Sequence, residues 1–193
     1  MIFSRKRPSE PTILVVTLNA RLQPQHRAEN YEDPLDRVLE REDKGSSVVG
    51  GGTLVGHEHE VVSCDIEVSL ANDARKGMRI VVDALERLGA PAGSTARLDG
   101  GEPVAFGIMQ GVGLYLNGTD LPDEVYATSD VNALVDTVSA AVGDAGHLES
   151  WFEGSRETAF YFYGLSAETI RGRIVAATAD QPLAERARLV QLT

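Results

Sequence analysis

The chain has only one cysteine, Cys64, among its 193 residues. One thiol cannot close an internal disulfide or supply the paired thiolates of a structural zinc site. We therefore expect Cys64 to be a small buried residue. No apolar run approaches the roughly 18 residues that cross a bilayer, and the basic N-terminus lacks the apolar stretch of a signal peptide. These absences predict a cytoplasmic protein with no membrane partner and a flexible tail over residues 1–11.

Lys and Arg are missing from residues 98–155, although the chain has 18 of them elsewhere. That stretch carries ten acidic residues, and the net charge of the chain is −11. An acidic surface repels phosphate backbones, so we expect no nucleic-acid partner. Solubility alone could explain the acids. Alternatively, they could form a surface that attracts a basic protein. The ten are Asp99, Glu102, Asp120, Asp123, Glu124, Asp130, Asp136, Asp144, Glu149 and Glu153.

Recognisable catalytic motifs are also missing. The sequence has no GxSxG or HExxH motif, no Cys/His ligand series, no Walker loop and no dinucleotide fingerprint. Scattered residues can still assemble a site in three dimensions. On balance the sequence favours a non-enzymatic protein without a cofactor.

Two halves of the chain repeat one order of elements. In the first half, strands are predicted at 12–20, 47–56, 61–70 and 94–98, with helices after Asp33 and after Asn72 or Asp73. In the second half, strands are predicted near 112–117, 147–152, 158–163 and 186–192, with helices capped by Ser129 and Ser166. The order βαββαβ is that of a ferredoxin-like unit. We predict an α+β fold of two tandem ferredoxin-like units, 12–99 and 104–193, with antiparallel sheets covered by helices.

Short sequence echoes support the duplication. Leu18-Asn19 recurs as Leu116-Asn117, and the triplet at 96–98 recurs at 187–189 as Ala-Arg-Leu. Their offsets differ, as loops of unequal length require. A turn at residues 99–103, DGGEP, is the predicted link between the halves.

The stretch VVGGGTLVGHEHE, residues 48–60, suggests either a phosphate loop with metal ligands or a distorted strand edge. A phosphate loop leads into a helix, whereas Gly50 to Gly52 lead into more strand. The glycines therefore predict a bulge or a close backbone approach. His57 and His59 could supply two nitrogen ligands to zinc, but no third ligand is fixed by spacing. We predict a polar turn and no metal site.

Two groups of charged residues are candidate binding residues. Asp65 and Glu67 alternate on one face of a strand, where they could act as an acid and base pair or form the wet side of a sheet. Arg21, His26 and Arg27 follow the first strand and could hold an anion or pair with nearby acids.

Aromatic residues are concentrated on the two strands at 147–152 and 158–163. Because aromatic side chains would lie on both faces of these adjacent strands, at least one face must be covered by something other than water. We expect the helices of the same half to cover one face and the other half or a second chain to cover the other, although an exposed aromatic patch could instead bind a protein. Trp151, Tyr161 and Tyr163 are the binding candidates in this group.

The motifs LNARLQP, EDPL, GGGT and CDIEV occur in this order in the first 100 residues. In this respect the N-terminal half resembles uncharacterised bacterial proteins that are associated with immunity or accessory functions. The resemblance implies no catalytic residues. Arg supplies 15 of the 18 basic residues, which is typical of a GC-rich bacterial genome.

These observations predict a non-enzymatic acidic protein-binding module, such as an inhibitor or immunity partner of a basic protein. The alternative is a small-molecule enzyme or sensor whose pocket lies between the halves and uses Arg21, His26, Asp65 and Glu67. A homo-oligomeric scaffold is a third hypothesis.

Overall fold

The computed structural model describes residues 11–56 and 59–193, so most of the predicted tail lies outside the described residues. The first half forms a five-stranded antiparallel sheet in the order β2-β3-β1-β4-β5. Its strands are β1 (Thr12–Leu18), β2 (Ser47–Val55), β3 (Val61–Leu70), β4 (Ser94–Leu98) and β5 (Val104–Phe106). Its helices are α1 (Pro24–Arg27), the π-helical turn Ala28–Glu32, α2 (Asp33–Glu42) and α3 (Ala74–Arg87).

The second half forms a four-stranded antiparallel sheet in the order β7-β8-β6-β9. Its strands are β6 (Gln110–Asn117), β7 (His147–Glu153), β8 (Glu157–Gly164) and β9 (Arg188–Gln191). Its helices are α4 (Asp123–Thr128), α5 (Val131–Val142) and α6 (Ala167–Thr178), with 3-10 turns at Gly143–Ala145 and Pro182–Ala184. When the strands of each half are counted from its start, both sheets contain the order 2-3-1-4. The predicted α+β fold with two tandem ferredoxin-like units is thus confirmed.

Strand β5 was not predicted from the sequence. It follows the DGGEP turn and pairs with β4, which adds a fifth strand to the edge of the first sheet. Its three residues are too few to show the alternation by which strands are recognised. A single parallel bridge between Pro91 and Met109 then leads the chain into the second half.

The helix caps show how local sequence begins each helix. Asp73 accepts a hydrogen bond from the backbone N–H of Lys76 at the start of α3, and Ser166 accepts one from Thr169 at the start of α6. The predicted cap Ser129 is wrong by one residue, because Asp130 accepts the bonds that begin α5. The extra short helix α4 occupies the preceding residues.

The segment between β1 and α2 is helical, although the sequence suggested a polar connection. Pro24 begins α1, since its fixed φ suits a first helical position. The chain continues through the π-helical turn directly into α2. The sequence of this segment does not show a helical pattern of apolar residues, because only a narrow stripe of it, including Tyr31, is buried.

The three glycines lie in β2, and the pairing register with β3 shifts between Val48 and Gly50. The bulge predicted from the glycines is therefore present. A second shift lies between Leu54 and Val55. It reverses the alternation at the start of β3, so Val61 is buried and Val62 is exposed. The alternation in the sequence predicts Val62 on the buried face with Cys64 and Ile66, and this prediction is wrong because of the second shift.

Each sheet packs its helices on one face. In the first half, Leu14, Val16 and Ile66 pack with Leu35 and Leu85 from the helices. In the second half, Phe160 and Phe162 pack with helix residues that include Leu134, Val138 and Ile170. Cys64 is buried in the first core, as expected.

The opposite face of the second sheet is covered by the first half. Tyr115, Tyr161 and Tyr163 belong to the same buried cluster as the core of the first half. Both faces of β8 are therefore buried, one by helices and the other by the other half of the chain. This is the packing that the aromatic pattern predicted.

Among residues 11–56 and 59–193, none of the helices combines the length and the apolar character needed to span a bilayer.

Candidate functional site

An apolar cleft opens between the helices and the edge strand of the second half. Its volume is about 510 Å³. Strand β7 contributes Trp151, and α5 contributes Val131 and Val135. Tyr126 from α4 completes this wall; its hydroxyl donates a hydrogen bond to the carbonyl of Asn117 (3.2 Å). The other lining residues are Leu116, Asn117, Gly118, Asn132, Leu148, Glu153, Thr158, Phe160 and Leu183.

Trp151 is half exposed, with 50% of its surface accessible. It lies opposite Phe160 in the register of β7 and β8, so it belongs to the helix-facing side of the sheet. The ring of His26, from α1 of the first half, packs against it edge to face with centroids 4.3 Å apart. Two of the predicted binding residues, His26 and Trp151, are thus brought into contact. The indole is held in place by the first half while its remaining surface faces the cleft.

Carboxylates lie on the elements that form the cleft. Glu153 lines it directly. Asp123 and Glu124 begin α4, and Asp130 and Asp136 lie at the start and on the exposed side of α5. None of these five side chains forms an ion pair with a residue in the described part of the chain. The cleft therefore combines an apolar interior with carboxylates on the elements that form it.

Some acids of residues 98–155 lie close to cations in the folded protein, although the stretch itself contains no Lys or Arg. Asp144 pairs with Arg173 at 2.7 Å, and the guanidinium of Arg173 lowers the pKa of that carboxyl. A hydrogen bond from Asn117 is the main cause that lowers the pKa of Asp120, and Arg156 and Arg186 also contribute. The fold thus brings cations from later in the chain to this acidic stretch.

A second constellation lies where the two halves meet. Glu60 precedes β3, and its Oε1 accepts hydrogen bonds from the Tyr115 hydroxyl (2.5 Å), the Tyr161 hydroxyl (2.6 Å) and Arg21 Nη1 (2.5 Å). The guanidinium of Arg188 lies 3.7 Å from the centroid of the Tyr115 ring. Three donors from both halves thus converge on one carboxylate oxygen.

Contacts of the backbone fix the position of Arg21. Its N–H donates to the hydroxyl of Tyr163 (3.2 Å), and its carbonyl accepts from the hydroxyl of Ser150. Among the predicted binding residues, Arg21, Tyr161 and Tyr163 therefore form one group at the junction of the halves.

The two tyrosines that contact Glu60 have raised pKa values. Burial, followed by the hydrogen bond to Glu60, raises the pKa of Tyr115 to about 12. The same two causes raise the pKa of Tyr161 further. Both hydroxyls are therefore protonated donors at neutral pH.

Arg27 links the helical segment after β1 to strand β2, which contains the three glycines. Its guanidinium donates to Glu32 Oε1 (2.7 Å), to the Gly52 carbonyl (2.7 Å) and to the Thr53 hydroxyl (3.1 Å). An added Cβ at Gly51 would lie within about 3 Å of both Arg27 and Glu32. The glycine therefore permits the close approach of this ion pair to β2.

The structure does not bring Asp65 and Glu67 together with the other candidates. Asp65 accepts a hydrogen bond from the Thr17 hydroxyl (2.6 Å) on the sheet face away from the helices. Glu67 is exposed on the same face. Arg21, His26, Asp65 and Glu67 make separate contacts, so they do not form the single pocket that the sensor hypothesis assumed.

The candidate metal ligands, His57 and His59, follow β2 in the sequence. His57 lies outside the described residues, and His59 is exposed with a left-handed φ of 68°. Within residues 11–56 and 59–193, no three His, Cys, Asp or Glu side chains are arranged to hold a metal ion.

Another cavity, of about 450 Å³, lies at the N-terminus of α6. Its charged groups already have partners: Arg173 bonds Asp144 and the Val142 carbonyl, and His147 bonds Glu149.

Sequence reasoning missed Glu60, Tyr115 and Arg188. Glu60 is the last residue of HEHE, and nothing else in the local sequence pointed to it. Its contacts with Tyr115 and Tyr161 could not be predicted because they depend on how the two halves pack.

No family model matches the chain, and no curated protein sequence matches it. Among solved structures it is similar to an unknown protein from Galdieria sulphuraria, at 14% identity over 94% of this chain and 98% of that one (TM-score 0.29). It is similar to the regulatory subunit of aspartate kinase from Thermus thermophilus, at 13% identity over 88% and 92% (TM-score 0.27). It is also similar to a mutant chlorite dismutase from Candidatus Nitrospira defluvii, at 11% identity over 96% and 91% (TM-score 0.31). At such scores the likenesses carry no functional argument.

Proposed function

We propose that the protein is a non-enzymatic binding module for a basic protein, and that the cleft beside Trp151 is its binding surface. The observation that carries the proposal is a half-exposed tryptophan over an apolar cleft, with carboxylates on the surrounding elements. Exposed aromatic residues are common anchors of protein interfaces.

The expected partner presents an apolar or aromatic side chain flanked by Arg or Lys. The apolar group would fill the cleft, and a guanidinium could pack on the Trp151 ring while neighbouring cations meet Glu153 and Asp136. Such a partner fits an inhibitor or immunity role. We further propose that the partnership operates in the cytoplasm of a bacterium, consistent with the single cysteine and the arginine-rich composition.

Intrinsic fluorescence offers a direct test, because Trp151 is the only tryptophan of the chain. The probe is a short peptide of alternating Arg and Leu, with a Glu and Leu peptide of equal length as its control. We expect the Arg peptide to shift the Trp151 emission to shorter wavelength in a saturable way that weakens as salt is added. The Glu peptide should have no effect.

Matched charge variants locate the surface. Asp136→Asn combined with Glu153→Gln should weaken binding of the Arg peptide by roughly two- to fivefold per charge. Glu40→Gln combined with Asp83→Asn, exposed acids on α2 and α3, should leave it unchanged. Equal binding by all three proteins, or no emission shift at any salt concentration, would count against the proposal.

The rival hypothesis, a small-molecule sensor or enzyme with a site between the halves, is favoured by one observation only. This is the convergence of Arg21, Tyr115 and Tyr161 on a single carboxylate. A homo-oligomeric scaffold is tested by light scattering, which should report a single chain if the cleft serves another protein.

A further inference from the structure

The donors around the Glu60 carboxylate have the composition of a carboxylate receptor. One guanidinium and two phenol hydroxyls donate to the same oxygen of Glu60 at 2.5 to 2.6 Å. Hydrogen bonds to a charged acceptor are stronger than neutral ones, and Arg with hydroxyl donors is a typical set for binding carboxylates.

The donors are held by contacts that do not involve Glu60. Tyr115 and Tyr161 lie on the adjacent central strands β6 and β8, with their rings 6.1 Å apart. Arg188 packs on Tyr115 and is fixed by two hydrogen bonds to Glu157, of 2.8 and 2.6 Å. Together with the backbone contacts of Arg21, these interactions would keep the receptor assembled without the Glu60 carboxylate.

Glu60 itself comes from a different kind of element. It lies in the connection between β2 and β3, directly after His59 in its left-handed conformation. Its backbone carbonyl accepts a hydrogen bond from Gly56 N–H (2.8 Å). One side chain outside the strands can be withdrawn more easily than two side chains on central strands can be repositioned.

Charge and exposure define what the site can hold. Without the Glu60 carboxylate, two guanidiniums of the cluster, from Arg21 and Arg188, would outnumber its one other carboxylate, from Glu157. The side chains of Arg21 and Glu60 are 22% and 20% exposed, so the site is shielded but reachable from solvent. Partial shielding strengthens ionic hydrogen bonds, and the low exposure of these side chains favours a small anion.

We propose that Arg21, Tyr115 and Tyr161 form a binding site for a small-molecule carboxylate, and that Glu60 occupies this site when the ligand is absent. The side chain of Glu60 acts as a tethered competitor. A ligand carboxylate takes its place on the same three donors and releases Glu60 from the second half.

The test measures thermal unfolding through Trp151 fluorescence in sodium acetate, sodium phosphate and sodium chloride at equal ionic strength. In Glu60→Ala we expect acetate to raise Tm in a saturable manner, with a half-saturating concentration on the order of 10 mM, while chloride does not. The wild-type protein should respond to acetate with about tenfold lower apparent affinity, because tethered Glu60 competes at a high effective concentration.

The control variant is Glu60→Ala with Tyr115→Phe and Tyr161→Phe, which keeps the rings and removes two of the three donors. It should lose the acetate response. Glu60→Gln keeps the shape and one acceptor oxygen, so it provides a second protein for the same titration if Glu60→Ala fails to fold.

The outcomes separate the possible roles of Glu60. Saturable acetate binding in a Glu60 variant and weaker binding in the wild type support the proposal. A response to phosphate that exceeds the response to acetate would overturn the assignment to carboxylates in favour of phosphate. Two results would show that Glu60 has only a structural role. One is the absence of a saturable response to acetate in both Glu60 variants. The other is the absence of a response in the wild type at up to ten times the acetate concentration that saturates the variant.

Discussion

Tyr161 of the second half donates a 2.6 Å hydrogen bond to Glu60 of the first half. The two residues are 101 positions apart in sequence, and their contact joins the two ferredoxin-like units through a largely buried polar group. Buried polar groups cost free energy unless they are paired. The contact should therefore contribute to the stability of the whole chain as well as to the chemistry of the junction.

Removing either partner should destabilise the protein. Tyr161→Phe and Glu60→Gln should each lower the free energy of unfolding by about 1–2 kcal/mol, because each weakens or removes a hydrogen bond to a charged acceptor. The double variant should lose less than the sum of the two. Urea unfolding of the four proteins gives the coupling free energy, which we expect to be about 1 kcal/mol. Strictly additive losses would show that the two side chains act independently.

The glycines of β2 give a prediction with an internal control. A Cβ added at Gly51 would lie 2.6 Å from the Asp65 carbonyl and 2.9 Å from Glu32 Oε1. Gly51→Ala should therefore destabilise the protein by about 2 kcal/mol. At Gly52 the nearest atom to an added Cβ is 3.8 Å away, so Gly52→Ala should be neutral or stabilising by up to about 1 kcal/mol. Thermal unfolding compares the two, and equal effects would mean that the close approach at Gly51 does not limit the side chain there.

The sequence predicted the order of elements better than their contacts. Alternation in β3 and the helical spacing of α3 depend on neighbours that are close in sequence, so both were found. The bulge at Gly50 could also be predicted, because glycines inside a strand usually mark a bulge or a close approach of the backbone. By contrast, the reversal at Val62 depends on an irregularity in the pairing of β3 with β2, which no local pattern records.

The candidate sites show the same limit. Both faces of β8 were aromatic in the sequence, and that pattern predicted the cover by helices on one face and by the other half or a second chain on the other. It could not show that Tyr161 would meet Glu60 or that Trp151 would meet His26, because these pairs form only when the two halves dock. The ion pair of Asp144 and the neighbours of Asp120 escaped prediction because they too join residues that are distant in sequence.

The only cysteine should be inert in the folded protein. Cys64 is buried, and burial raises the pKa of its thiol to about 12, with a smaller opposing effect from Arg27. At pH 8 the reaction with a disulfide reagent should be at least about 10³-fold slower than in urea, since a thiolate forms readily only after unfolding. The rate should rise with urea along the unfolding curve followed by Trp151 fluorescence. Rapid labelling without urea would show that this part of the first core opens locally. The Cys64→Ser variant, which has no thiol, provides the control for spontaneous decay of the reagent.

His26 should make the protein sensitive to acid. Burial lowers its pKa, while Glu29 and Glu149 act in the opposite direction. Its Nδ1 has no hydrogen-bond partner among the described residues. Because the unfolded chain takes up the proton at a higher pH than the folded chain, the contribution of His26 to stability falls as pH decreases from about 6.5 through the lowered pKa.

His147 should act with the opposite sign, and this difference allows the two histidines to be separated. Its hydrogen bond with Glu149 raises its pKa, so it contributes stability that is complete below about pH 6.5 and is lost as pH rises through the raised pKa. His26→Leu should therefore gain stability relative to wild type as pH falls from 7 to 5, by at most about 1.4 kcal/mol per pH unit. His147→Gln should lose stability relative to wild type over the same range. Urea unfolding at pH 5, 6 and 7 measures both differences. Parallel pH profiles for wild type and His26→Leu would mean that the His26 ring takes up its proton as easily in the folded protein as in the unfolded chain. The packing of His26 against Trp151 would then be equally stable with the ring neutral or protonated.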